Sequence, residues 1–187
     1  MRVPTAGAVL LALAACRGDK TYARDAVPSA LAPAVAAAEA ALDAMQKQLA
    51  GRLGEALAAG GPLAAVSVCS EQAQSLTAAI ATEHGVALGR TSHKLRNPAN
   101  APRPWLQPFV DRALTDPIAG PMVVDLGESV GVVRPIYVAG PCLQCHGDSA
   151  HVGADVAAAL HRAYPDDRAV GFADGALRGF AWAEAPR

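Results

Sequence analysis

Met122-Val123-Val124-Asp125-Leu126-Gly127-Glu128-Ser129-Val130-Gly131-Val132-Val133-Arg134-Pro135-Ile136-Tyr137-Val138 holds two runs rich in β-branched residues. The two runs are separated by Gly127 to Ser129. Such runs favour pleated backbone, and a short glycine-containing connection between them predicts an antiparallel hairpin over 122–126 and 130–138. Upstream the period changes. Leu31, Val35, Ala38, Leu42, Met45 and Leu49 recur at alternating intervals of four and three, the stripe of an amphipathic helix. That helix is expected to extend to about Leu57 and to stop at Gly60-Gly61-Pro62. A second helix, 63–83, presents Val66, Cys69, Ala73, Leu76 and Ile80 on one face, so Cys69 is expected to point inward.

Further strands are read over 86–92 and 176–183, short helices over 105–114 and 152–164, and a proline-rich loop over 97–104. Helices gathered at one end of the chain and strands at the other give an α+β fold with a small antiparallel sheet. No internal repeat is present.

The 187 residues favour one domain. Hydrophobic residues make up 52% and aromatic ones only 4%, so the core is built of small side chains. A net charge of -1 gives no basic footprint for nucleic acid, which is excluded as a partner. At the N-terminus, Arg2 precedes an apolar run from Ala6 to Ala15 that is too short to span a bilayer but suits a secretory signal. It ends in Leu13-Ala14-Ala15-Cys16, which resembles a bacterial lipobox. The expected organisation is a lipoprotein signal peptide over 1–15, lipidation at Cys16, a polar tether over 16–30 and one domain over 31–187. This puts the chain in the periplasm or cell envelope, held to a membrane by lipid.

Cys142-Leu143-Gln144-Cys145-His146 has the spacing of c-type haem attachment. Two thiols three residues apart can add to one edge of a porphyrin, and the adjoining histidine then lies under the iron as an axial ligand. A structural zinc site wants four ligands, and no second cysteine pair exists. A redox Cys-x-x-Cys does not require the histidine. The expected cofactor is one covalent haem c, with His146 on the metal. The opposite axial position is open to Met45, Met122, His84, His93, His151, His161 and Cys69. With Cys16 acylated and the pair at 142 and 145 committed to haem, Cys69 is a leftover thiol that needs an explanation. A buried small hydrophobe is one, a metal ligand the other.

Several segments resemble the haem-c-binding PAS-like domains, found as exported stand-alone proteins and as sensor regions of histidine kinases. They are Ala65 to Ser70, Arg90 to Pro102, Arg134-Pro135-Ile136, Cys142 to Gly147, Tyr164 to Gly171 and Leu177-Arg178-Gly179. The resemblance implies a PAS-like sheet behind long N-terminal helices, haem bound through Cys142 and Cys145, and axial ligation by His146 and Cys69. Haem propionates need cationic or amide partners. Arg90, Lys94, Arg96 and Arg134 are the candidates, with Asn97 and Asn100 as neutral donors, against the alternative that these side chains are solvated or cap the loop. Trp105 is assigned to core packing. The expected function is a redox or gas sensor that signals to an unidentified redox or signalling partner. An envelope electron-transfer cytochrome is the alternative, and a haem enzyme a distant third.

Overall fold

Helix α1, Ala32–Ser67, starts with Pro33 in its first turn, where a missing N–H costs nothing. In the computed structural model, which describes residues 19–187, the helix is broken where the sequence predicts. Gly60 and Gly61 leave helical geometry, Gly61 at a φ of 67°, and Pro62 restarts the chain in a new direction. Val68–Gln72 forms a π turn and α2, Ala73–His84, completes the second limb, closed by Gly85 in the left-handed conformation. The predicted second helix therefore exists, but one extra residue is wound into it at Cys69.

Five strands follow or precede these helices: β1 Lys20–Ala23, β2 Ala87–Thr91, β3 Met122–Asp125, β4 Ser129–Tyr137 and β5 Leu177–Pro186. They form one antiparallel sheet in the order β1-β3-β4-β5-β2. The architecture is α+β with a PAS-like antiparallel sheet, as the sequence and its resemblance imply. β3 and β4 are the predicted hairpin, turning where the Leu126 amide donates to Ser129 O at 3.0 Å. β1 lies within the stretch read as a tether. Its Lys-Thr-Tyr-Ala sequence is short and polar because it is an edge strand, paired on one side only.

Alternation explains how both sheet faces are covered. Val130 and Val132 of β4, with Ala181, Ala183 and Ala185 of β5, meet the stripe Val35, Ala38, Leu42 and Met45 of α1. The alanines of β5 let the helix settle close to the sheet. All four stripe residues have no exposed surface; burying a side chain the size of Leu42 or Met45 contributes about 2 kcal/mol. Val133, Phe180 and Trp182 point to the other face, where Trp105, Leu106 and Phe109 pack. There the Trp105 ring lies so close to β4 that a Cβ on Gly131 would stand 2.9 Å from it. Trp105 is core, as predicted. Two short helices complete the fold: α3, Gln107–Asp111, beside Trp105, and α4, Leu143–His146, directly after β4. A longer one, α5, Ala154–Ala163, packs Val156 and Leu160 against Val66 of α1. Residues 1–15 and Cys16 lie outside the described residues.

Candidate cofactor site

Where β4 runs out of the sheet the chain turns at Gly140-Pro141 into α4, and a cavity of about 300 Å³ opens beside it. Cys142, Cys145 and His146 line one wall. Cys69 of the π turn lines it from the helical side, with Leu53, Leu57, Ala65 and Val66 of α1 around it. Arg90 and Thr91 of β2, Ser92 just after it, and Arg178 and Gly179 of β5 supply a polar wall. Cys142 is exposed and Cys145 half-buried, and neither is paired with another sulfur. Burial pushes the Cys145 thiol above its ordinary value, partly offset by Arg96.

His146 is held by its surroundings. Nδ1 lies 2.8 Å from the Ala169 carbonyl, a geometry in which Nδ1–H donates and Nε2 keeps its lone pair. Arg178 Nε stands 3.3 Å from the same nitrogen, which cannot accept from it while carrying a proton. The shorter contact to a carbonyl decides the tautomer. Burial first, then Arg178 and Arg96, pushes the imidazole down to about 3, so the ring is neutral and free to ligate at ordinary pH.

The Ala169 carbonyl is itself positioned. Arg96 donates to it at 3.1 Å, to Cys145 O at 2.5 Å and to Asp167 Oδ2 at 2.9 Å. Asp167 in turn accepts from the Ala169 amide at 2.7 Å. Phe172 N to His146 O and Gly171 N to Gly147 O tie the same loop to the end of α4. The segment from Tyr164 to Gly171 is thus a cradle for the Cys-x-x-Cys-His turn.

Of the residues expected around propionates, Arg90, Arg96 and Asn97 line the cavity and Lys94 and Arg134 do not. Lys94 donates to Val170 O at 3.0 Å and sits over the Phe172 ring. Arg134 lies on the α1 side, 2.5 Å from Asp43 Oδ1 and 3.9 Å from Glu39. Arg96 is on the wall, but its donors serve Asp167 and two carbonyls. Asn97 Oδ1 caps the turn at Pro98–Asn100 through the Ala99 amide, and Asn100 Oδ1 accepts from Gln74 Nε2 at 3.0 Å. Arg90 alone of the four cations faces the cavity with no hydrogen bond or ion pair to a described residue, and its burial lowers its pKa. Among the seven alternatives for the second axial position, only Cys69 lines the cavity. Met45 is fully buried in the α1 stripe, Met122 belongs to β3, and His151 bonds Asp148 at the surface. His93 packs edge-on against Phe172, His84 ends α2, and His161 lies outside the cavity.

Arg178 was not among the expected site residues. It enters because β5 carries a bulge: Ile136 faces Gly179 and Tyr137 faces Leu177, leaving Arg178 as the extra residue. A bulge turns its side chain out of the ladder, here toward His146, where the surroundings push its guanidinium down to about 10, burial first among the causes. Gly179 next to it has a φ of 154°, and a Cβ there would stand 2.3 Å from Thr91 O.

Around this cavity three guanidinium groups, Arg90, Arg96 and Arg178, meet one carboxylate, Asp167. Among the described residues there is no group of three or more His, Cys, Asp or Glu that could hold a bare metal ion. Residues 19–186 match the Tll0287-like family. The chain belongs to the Tll0287-like family. A solved structure described as that of the cyanobacterial heme-protein Tll0287 is 30% identical to it, with a TM-score of 0.57, over 87% of this chain and 98% of that one. A search of the curated proteins gave no match. Membership of the Tll0287-like family accounts for the shared helix-and-sheet frame, and the cavity residues lie within the matched span.

Proposed function

We propose that this member of the family is an exported haem protein that holds one covalent haem c and serves as a redox or ligand sensor of the cell envelope. The observation that carries the reading is the convergence of Cys142, Cys145, His146 and Cys69 on one cavity. The residues fit the group. Two thiols three residues apart stand on one wall, an imidazole with its outer nitrogen already bonded faces in, and a lone thiol approaches from the helix above. The surplus of guanidinium over carboxylate suits a group that brings two propionates, with Arg90 as the cation left to receive them. A cavity of about 300 Å³ lies at the small end of ordinary ligand pockets, roughly 300–1,000 Å³, so part of a porphyrin would reach solvent beside exposed Cys142.

When bound, haem supplies an iron that exchanges one electron and can exchange an axial ligand. In this reading Cys142 and Cys145 would tether it, and His146, through Nε2, and Cys69, as a thiolate that favours the oxidised state, would hold its iron. A thiolate is sensitive to protonation and oxidation, which is what a sensor needs. The exposure of Cys142 favours a second reading, an electron carrier that passes electrons across the attachment edge. Signal peptide, lipid at Cys16 and envelope location belong to the same proposal, as does an unidentified redox or signalling partner.

The decisive experiment is the spectrum of the purified holoprotein, ferric, reduced, and reduced under CO. A covalently retained haem with thiolate-type ferric features that change on reduction or CO binding supports the sensor. A Cys69→Ala variant with an unchanged ferric spectrum sinks the thiolate ligand. Absence of retained haem after export through a cytochrome c maturation system sinks the whole reading.

A further inference from the structure

Cys69 sits in the only π turn among the described residues, Val68–Gln72. In that turn the Ala73 amide reaches back five residues to Val68 O, not four. A π turn spends one residue more than an α turn, so the carbonyl ladder slips and a turn carbonyl needs an outside donor. The Cys69 carbonyl has one: the Tyr164 hydroxyl donates to it at 2.8 Å. Tyr164 follows α5 and is nearly buried, packed with Val66, Val156 and Leu160, with Cys145 at the edge of the same cluster. It is also a cavity residue. One side chain therefore ties the helix that carries Cys69 to the element that packs against Cys145.

We propose that Tyr164 is a positioning residue which locks the π turn in the register that aims Cys69 into the cavity. This rests on the reading of Cys69 as an axial ligand, and the two are separable by experiment. Without the hydroxyl, the inserted residue has no outside support, and the helix can return to the α ladder. With α2 held by the packing of Ile80, a change of one residue in register rotates the positions before it by about 100°, enough to turn the thiol off the cavity. The ring packing is kept by phenylalanine, so the hydroxyl can be removed alone.

The test compares Tyr164→Phe with Leu160→Ala in the holoprotein. Leu160→Ala removes packing from the same cluster and leaves the hydroxyl. Tyr164→Phe is expected to split the ferric absorption and electron-resonance spectra into two populations, one without the Cys69 signature. Its amides over Ser70–Gln74 are expected to exchange with solvent about fivefold faster or more, with α5 unchanged. Leu160→Ala is expected to lower the melting temperature and move neither. Tyr164→Phe identical to the parent in spectrum and exchange overturns the proposal, and so does Leu160→Ala reproducing its changes. If Cys69→Ala has already shown that the thiol is not a ligand, the exchange of the 70–74 amides alone decides whether Tyr164 holds the turn.

Discussion

Arg96 Nε lies 2.9 Å from Asp167 Oδ2, both side chains about one-tenth exposed, and the same guanidinium binds the carbonyl that receives His146 Nδ1. The ion pair and the imidazole are therefore one arrangement. Removing one partner leaves the other charge buried alone, which costs more than the pair contributes. Asp167→Asn is expected to destabilise the protein by about 3–5 kcal/mol, seen as a lower midpoint in urea denaturation. Because the Ala169 carbonyl is then less firmly held, the ferric spectrum should also broaden. A midpoint within experimental error of the parent would remove the pair from the account of His146.

Arg90 gives a prediction whose sign depends on the cofactor. In the protein without haem its guanidinium is desolvated with no hydrogen-bond or ion-pair partner among the described residues, so Arg90→Met is expected to leave apoprotein stability unchanged or raised. With haem bound the same change removes the cation offered to the propionates. The reduction potential should fall, because a positive charge near the iron favours the reduced state. Calorimetry of the apoprotein and potentiometry of the holoprotein check the two halves. A drop in apoprotein stability would show that Arg90 has a structural partner.

At Gly179 the space for a side chain is absent: a Cβ would press on Thr91 O from 2.3 Å, next to the bulge that turns Arg178 inward. Gly179→Ala is expected to cost about 1–3 kcal/mol, in the range of overpacking and strained backbone. Gly120→Ala, in a loop with open space around the same atom, is the control and should be nearly silent. Thermal unfolding of the two variants makes the comparison.

His93 titrates below its ordinary value, through burial first and then the nearby charges of Lys94 and Arg178. The sign follows from proton binding. As pH falls through about 6.5, the unfolded chain takes up the proton before the folded one, so stability present above that pH is lost on acidification. His93→Gln should flatten part of the acid limb of the stability curve, measured in the apoprotein from pH 8 to pH 5. An acid limb of the same slope in both proteins would leave His93 without a role in it.

Much of the frame was readable from spacing alone. The stripe from Leu31 to Leu49, the break at Gly60-Gly61-Pro62 and the hairpin at 122–138 obey periods of 3.6 and 2, and the Cys-x-x-Cys-His turn is contiguous. What escaped has no local period. Lys20–Ala23 is a strand only because β3 offers it an edge. The π turn at Cys69 inserts a residue into a pattern that still alternates three and four, so the sequence looks like an uninterrupted helix. Arg178 faces the site through a bulge, and a bulge is set by the partner strand. Arg96 is tied to Asp167 across 71 positions, and Arg134 to Asp43 across 91; no count of charges predicts which cations are already engaged. The thiols and the imidazole could be named as candidates from their own chemistry, and Arg90 only as one of four cations, because which of them lines the cavity is set by neighbours.

The order of strands in the sheet also bears on how the protein is made. β5 comes last along the chain yet lies between β4 and β2 near the centre of the sheet. Until residues 177–186 emerge, β2 and β4 have no strand to join them, and Arg178 is not there to flank His146. The Cys142 to His146 turn is synthesised earlier, before both its cradle at 164–171 and β5. The Arg178 side of the cavity is therefore completed only when the final strand takes its place between β4 and β2.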